Sequence, residues 1–166
     1  MKHIQLSHEI LEQIENNLLT PVIIESPLAS PTIEGWVQNK KYARACMRDC
    51  LERGEAPYAS HLLYAQEGLL NDDIAEERAL GIHAGLVWGK FADKSVVYTD
   101  LGISSGMERG IKRAREENRE IEYRTLGFVP EVLPQEVQLE VKRKEVEALL
   151  NNNDIILESM SKGMKI

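Results

Sequence analysis

Apolar positions along this chain come in two rhythms. Pro21-Val22-Ile23-Ile24-Glu25 and Ser95-Val96-Val97-Tyr98-Thr99 are short runs rich in β-branched residues without polar alternation, the pattern of strands covered on both faces. Between them Trp36, Val37, Ala43, Cys46, Met47, Cys50 and Leu51 recur every three or four positions, which predicts a helix over 35–53, stopped by Gly54 as a C′ residue. Residues 56–64 read as a second strand and its exit loop. Residues 65–73 read as a connection in which Asp72 or Asp73 caps a helix over 74–91. A further helix runs from the Gly/Ser-rich turn after Asp100 to about residue 118, and Glu120-Ile121-Glu122-Tyr123-Arg124 reads as a last strand. Strand and helix alternating with short connections predict an α/β fold, a doubly wound, mostly parallel, Rossmann-like sheet flanked by helices.

The flanks have a different character. Ser7 caps an amphipathic stretch with Ile10, Leu11, Ile14 and Leu18 at helical spacing, so residues 1–20 are expected to form an N-terminal helical extension. Residues 21–127 then form the α/β domain. Residues 128–166 form a C-terminal helical extension, with a charged amphipathic helix over 134–150 and an apolar patch at Ile155-Ile156-Leu157. Segments of this kind serve oligomer contacts more readily than catalysis, and a homo-oligomer is expected.

Composition narrows the partners. The chain has 166 residues and a net charge of −7, which argues against a nucleic-acid surface, since neutralising phosphates needs clustered Lys and Arg. No apolar run approaches the roughly 20 residues of a membrane span. Cys46 and Cys50, four apart and without nearby His, read as small buried helix residues rather than a zinc site, so no metal and no cofactor are expected. Nothing at the N-terminus resembles a signal peptide, and a cytoplasmic, reduced setting is the expectation.

Candidate chemistry gathers at the strand ends. The first strand's C-terminal end faces the crevice and exits into Ser26-Pro27-Leu28; Ser60 and His61 follow the second; Asp100 and Gly102 lead from the third through Ser104, Ser105, Gly106 and Met107 to Glu108. Strand, loop and helix N-terminus in this order form a place where α/β proteins hold phosphates, sugars or nucleosides. His61 either caps a loop or touches a ligand. Asp93, Asp100 and Glu108 either cap turns and complement a helix dipole, or supply two carboxylates of unlike environment to one crevice. Gly81, Gly85 and Gly89 bare one face of their helix. That face serves helix packing, a subunit interface or a ligand touching backbone.

The segment Gly106-Met107-Glu108-Arg109-Gly110 after a strand and Asp100 resembles the Gly-Met-Glu-x-Gly segment of nucleoside 2-deoxyribosyltransferases. The resemblance covers about 21–126. Ser26-Pro27-Leu28, Ala59-Ser60-His61-Leu62-Leu63-Tyr64, Glu76-Glu77-Arg78-Ala79-Leu80-Gly81 and Tyr123-Arg124-Thr125-Leu126-Gly127 look like uncharacterised bacterial and phage-encoded relatives of that fold. It implies a nucleoside or nucleotide ligand, Glu108 as the nucleophile on the sugar C1′, Asp100 managing the leaving base and Asp93 as a further acid. Two departures stand out. Asp100 and Glu108 lie two residues further apart than in the transferases, and the first strand exits without the glycine-bearing loop. The lengthened Ile103-Ser104-Ser105 loop suits a phosphate. It also admits a second function: a non-catalytic, phage-encoded sponge that sequesters an ADP-ribose-derived or cyclic nucleotide immune signal.

Overall fold

The computed structural model describes residues 6–16, 18–66 and 68–128. Strands β1 (Thr20–Glu25), β2 (Glu55–Tyr58), β3 (Lys94–Tyr98) and β4 (Glu120–Arg124) form one sheet in the order β2-β1-β3-β4, with every neighbouring pair parallel. Helices α1 (His8–Glu15), α2 (Ile33–Glu52), α3 (Ser60–Tyr64), α4 (Ala75–Trp88) and α5 (Ser105–Glu116) connect or precede them. The fold is therefore α/β with a wholly parallel, Rossmann-like sheet.

Strand alternation sorts the core into two layers. Val22, Ile24, Val96 and Tyr98 meet Tyr42, Cys46 and Cys50 of α2. Val97 turns to the opposite face, against Met107 and Ile111 of α5. Both cysteines are free and fully buried.

The helix ends follow local chemistry. Ser7 Oγ accepts from the Ile10 amide at 3.2 Å and starts α1. Thr32 Oγ1 accepts from the Gly35 amide at 3.1 Å, which begins α2 two residues before its predicted start. Gly54 follows α2 with φ of +73°, a left-handed position that favours glycine at a helix C-terminus.

Two expectations are corrected. Residues 60–64 are not strand exit but the short helix α3, which lies so close to α4 that a Cβ on Gly85 would stand 2.6 Å from the Ser60 side chain. The bare face of α4 thus accepts a neighbouring helix. Neither Asp72 nor Asp73 caps α4, whose N-cap position is Ile74 without a side-chain bond. The turn is held instead by Asn71 Oδ1 accepting from the Asp73 amide and Glu77 Oε2 accepting from the Asn71 amide, at 3.0 and 2.6 Å. The expected helix over 134–150 and the patch at 155–157 lie outside the described residues.

A charge network joins β2 to β4. The Arg124 guanidinium donates to both Glu55 oxygens, at 2.8 and 2.7 Å, and to Glu122 at 2.6 Å. Lys94 Nζ reaches Glu55 at 2.7 Å and Glu122 at 2.8 Å. Burial pushes the Glu55 carboxyl up, but the hydrogen bonds from Arg124 and Lys94 outweigh it and hold the group below the usual carboxylate range. Among the described residues, no helix is long and apolar enough to cross a membrane.

Candidate ligand crevice at the ends of β1 and β3

From β1 the chain moves outward through α2 to β2, then returns past β1 to β3, so the connections leaving β1 and β3 run to opposite sides. A crevice opens at such a switch point for topological reasons. Here a cavity of about 140 Å³ lies beyond Ile23 and Glu25 of β1, between Gly85 and Leu86 of α4 and Met107 and Gly110 of α5. A smaller hollow of about 60 Å³, bounded by Tyr64, Ala65, Leu70 and Gly81, adjoins it through a shared wall of Leu28, Ser60, His61, Asp72, Arg78 and Ile82.

Much of the predicted binding set is brought together. Ser26, Leu28, Ser60, His61, Ser104, Ser105, Gly106 and Met107 all line the larger cavity, whereas Pro27 and Gly102 do not. Ser104 starts α5 as its N-cap, its Oγ accepting from the Met107 amide at 3.4 Å. His61 reaches across from α3, with Nε2 2.9 Å from Ser26 Oγ. Burial pushes its imidazole down to about 4, so it is neutral at physiological pH.

The three carboxylates named from sequence are not gathered there. Glu108 is exposed and does not line the cavity. The inward stripe of α5 is Met107, Gly110, Ile111 and Ala114, and Glu108 stands about 100° round the helix from Met107. Asp100 is occupied within the fold. Its carboxylate accepts from the Leu126 amide at 2.9 Å, the Phe128 amide at 2.8 Å and the Tyr42 hydroxyl at 2.6 Å, fastening the exit of β3 to the segment after β4. Burial pushes this carboxyl up, but those donors outweigh it and keep it below its usual range. Asp93 precedes β3, at the opposite edge of the sheet, roughly 16 Å of strand away from the crevice.

Two other carboxylates line the cavity: Asp72, 3.9 Å from Arg78, and Glu25, the last residue of β1. The latter sits over the bare backbone of Gly110, whose absent Cβ would overlap the Glu25 carboxyl. Arg119 attracts it, but that guanidinium already donates to Ser95 Oγ at 3.0 Å and to Glu117 at 2.6 Å. Burial therefore prevails over Arg119 and pushes the Glu25 carboxyl up to about 8. The sequence carried a signal for it: an acidic residue closing an otherwise apolar parallel strand must end at the crevice.

The cavity thus combines the Glu25 carboxyl, a neutral imidazole, the Arg78 guanidinium with Asp72 beside it, Arg119 and the Ser104-capped first turn of α5. Such a lining can hold an acceptor-rich small molecule. Among the described residues, no three His, Cys, Asp or Glu side chains are grouped to hold a metal ion.

A family described as Domain of unknown function (DUF7768) matches residues 20–124. The chain belongs to that family. The matched span opens with the first residue of β1 and closes with the last of β4, so it takes in the whole four-stranded sheet and its connections. No curated protein matches the chain, and no solved structure does.

Proposed function

We propose that the chain binds a nucleoside or nucleotide in the crevice at the ends of β1 and β3. The observation that carries this reading is the cavity itself: it lies at the switch point of a parallel sheet, opens onto the N-terminus of α5 and collects Ser26, Ser60, His61, Ser104 and Ser105 from separate segments. The likeness of 106–110 to the transferase segment adds the nucleoside. Binding without chemistry is the form we favour, because Glu108 stands outside the cavity and Asp100 is held by backbone donors. On this reading the chain retains its ligand intact, as a sponge for an ADP-ribose-derived or cyclic nucleotide signal does. The alternative is cleavage or transfer at an N-glycosidic bond with Glu108 as nucleophile.

Calorimetry with AMP, dAMP, NAD and ADP-ribose, followed by denaturation and chromatography, separates the two. Stoichiometric binding with the ligand recovered unchanged supports the binder. Release of free base that stops in Glu108→Ala establishes the enzyme, and no heat with any of the four sinks both.

Self-association belongs to the same proposal. Leu80, Val87 and Phe91 stand exposed on the outer side of α4 and the turn after it, a surface a second copy can cover. Light scattering is expected to give a mass above that of one chain at micromolar concentration; a monomer there contradicts it.

A further inference from the structure

We propose that Glu25 is the ligand-reading group of the crevice, entering the complex as a neutral carboxyl that donates a hydrogen bond to an acceptor on the ligand. This rests on the proposed nucleotide site and assigns within it a residue that the transferase likeness does not name.

Three observations meet at this side chain. It is the only carboxylate that β1 or β3 delivers to the cavity from its own strand, and it lines the wall facing α4 and α5. Its carboxyl rests on Gly110, at a place that any larger residue would fill, so the bare helix backbone creates the seat. Among the described residues it has no hydrogen bond or ion pair; its attraction to Arg119 is electrostatic, and that cation is bonded to Glu117, Ser95 and Gly89.

The other charged and titratable groups around the cavity do not supply a base for its proton. His61 from α3 has its Nε2 engaged with Ser26, Asp72 faces Arg78 across 3.9 Å, and the α5 wall contributes Ser105, Met107 and Gly110, none of which titrates near neutrality. The sheet beneath offers Ile23, with Ser95 and Val97 on the same face. Burial at this seat raises the carboxyl to about 8, which favours its protonated form at neutral pH. The remaining polar lining consists of the Arg78 and Arg119 guanidinia, His61, serine hydroxyls, the first turn of α5 and Asp72, whose carboxylate is turned to Arg78 at 3.9 Å, so at the β1 end the neutral acid adds a donor beside other donors. A ligand of matching chemistry presents acceptors, such as a phosphate or a ring nitrogen and carbonyl edge. An ionised Glu25 would repel that ligand.

The test follows AMP affinity from about pH 6 to pH 10 in the wild-type chain, Glu25→Gln and Gly110→Ala, with ¹³C NMR of the glutamate carboxyls alongside. In the wild type, affinity is expected to fall about tenfold for each pH unit above about 8. Glu25→Gln keeps a donor without a titration, so its affinity stays level over the same range. Gly110→Ala puts a methyl group where the carboxyl sits and should weaken binding at least tenfold while the circular dichroism spectrum is retained. The carboxyl resonance should titrate near 8 in the free protein and at higher pH with AMP bound. AMP binding that is level with pH in the wild type, or undiminished in Gly110→Ala, overturns this assignment and leaves the nucleotide site standing. If Gly110→Ala does not fold, the comparison of wild type with Glu25→Gln decides alone. Failure of AMP to bind any of the three overturns the assignment, and only when dAMP, NAD and ADP-ribose also fail to bind the wild type does the reading it rests on fall with it.

Discussion

Arg124→Met is expected to lower stability by about 2–4 kcal/mol at neutral pH, a fall of roughly 5–15 °C in melting temperature for a domain of this size. Arg124 is buried, and its guanidinium satisfies both oxygens of the equally buried Glu55 while also meeting Glu122. Methionine fills much of the same volume, so the loss is chiefly electrostatic: Glu55 keeps only Lys94 as a charged partner at 2.7 Å. The pH dependence carries a second signature. Hydrogen bonds from Arg124 and Lys94 hold the Glu122 carboxyl at about 2, below its unfolded value, so its contribution is present above about 4.5 and is lost as pH falls towards 2. The wild type should therefore lose stability steeply over that window and the variant less so. Denaturant titrations at several pH values measure both effects, and a neutral-pH midpoint equal to that of the wild type contradicts the argument.

Glu25→Gln should act in the opposite direction. Burial raises the carboxyl to about 8, so between about 4.5 and 8 the folded chain holds a proton that the unfolded chain has released. Wild-type stability from this group accordingly falls as pH rises through that interval, then stays level. Each tenfold change in proton affinity is worth about 1.4 kcal/mol at most, which makes the glutamine variant roughly 2–4 kcal/mol more stable than the wild type at pH 8. At pH 4 the two should nearly coincide. His61, pushed down to about 4, imposes the opposite slope between about 4 and 6.5 on both proteins, so the difference between them isolates Glu25. A difference that is constant across the pH range is the result that refutes the reasoning. A gain in stability on removing an acid from the crevice is also what a functional site predicts, since such groups are kept against the interest of the fold.

The sheet was legible because burial on both faces writes itself plainly: Val22-Ile23-Ile24 and Val96-Val97-Tyr98 leave little but a parallel strand. The helix carrying Cys46 and Cys50 was legible through its period, and its end through Gly54. The five residues of α3 were not, because so short a helix shows barely one repeat and exists for its contact with Gly85. The cap of α4 misled for a related reason. Asp72 and Asp73 are good cap residues, but Asn71 and Glu77 hold the turn in a form that leaves Ile74 at the cap. At the crevice the residue types drew attention to Glu108, in a segment like that of a known family. Periodicity held the better clue, since Met107, Gly110, Ile111 and Ala114 define the buried stripe and exclude their neighbour Glu108. That Glu25 lies against Gly110 could not be read from either residue alone, because 85 positions separate them and only the crossing of α5 over β1 brings them together.

The two thiols beneath α2 give the molecule a clock. Burial pushes both up, Cys50 to about 12, and neither has measurable exposure, so a thiol reagent meets almost no thiolate while the helix stays on the sheet. Alkylation then proceeds only as fast as α2 lifts away. At high reagent concentration, where alkylation outpaces reclosing, its rate becomes the rate at which the core layer opens, in a chain to which no label has been added.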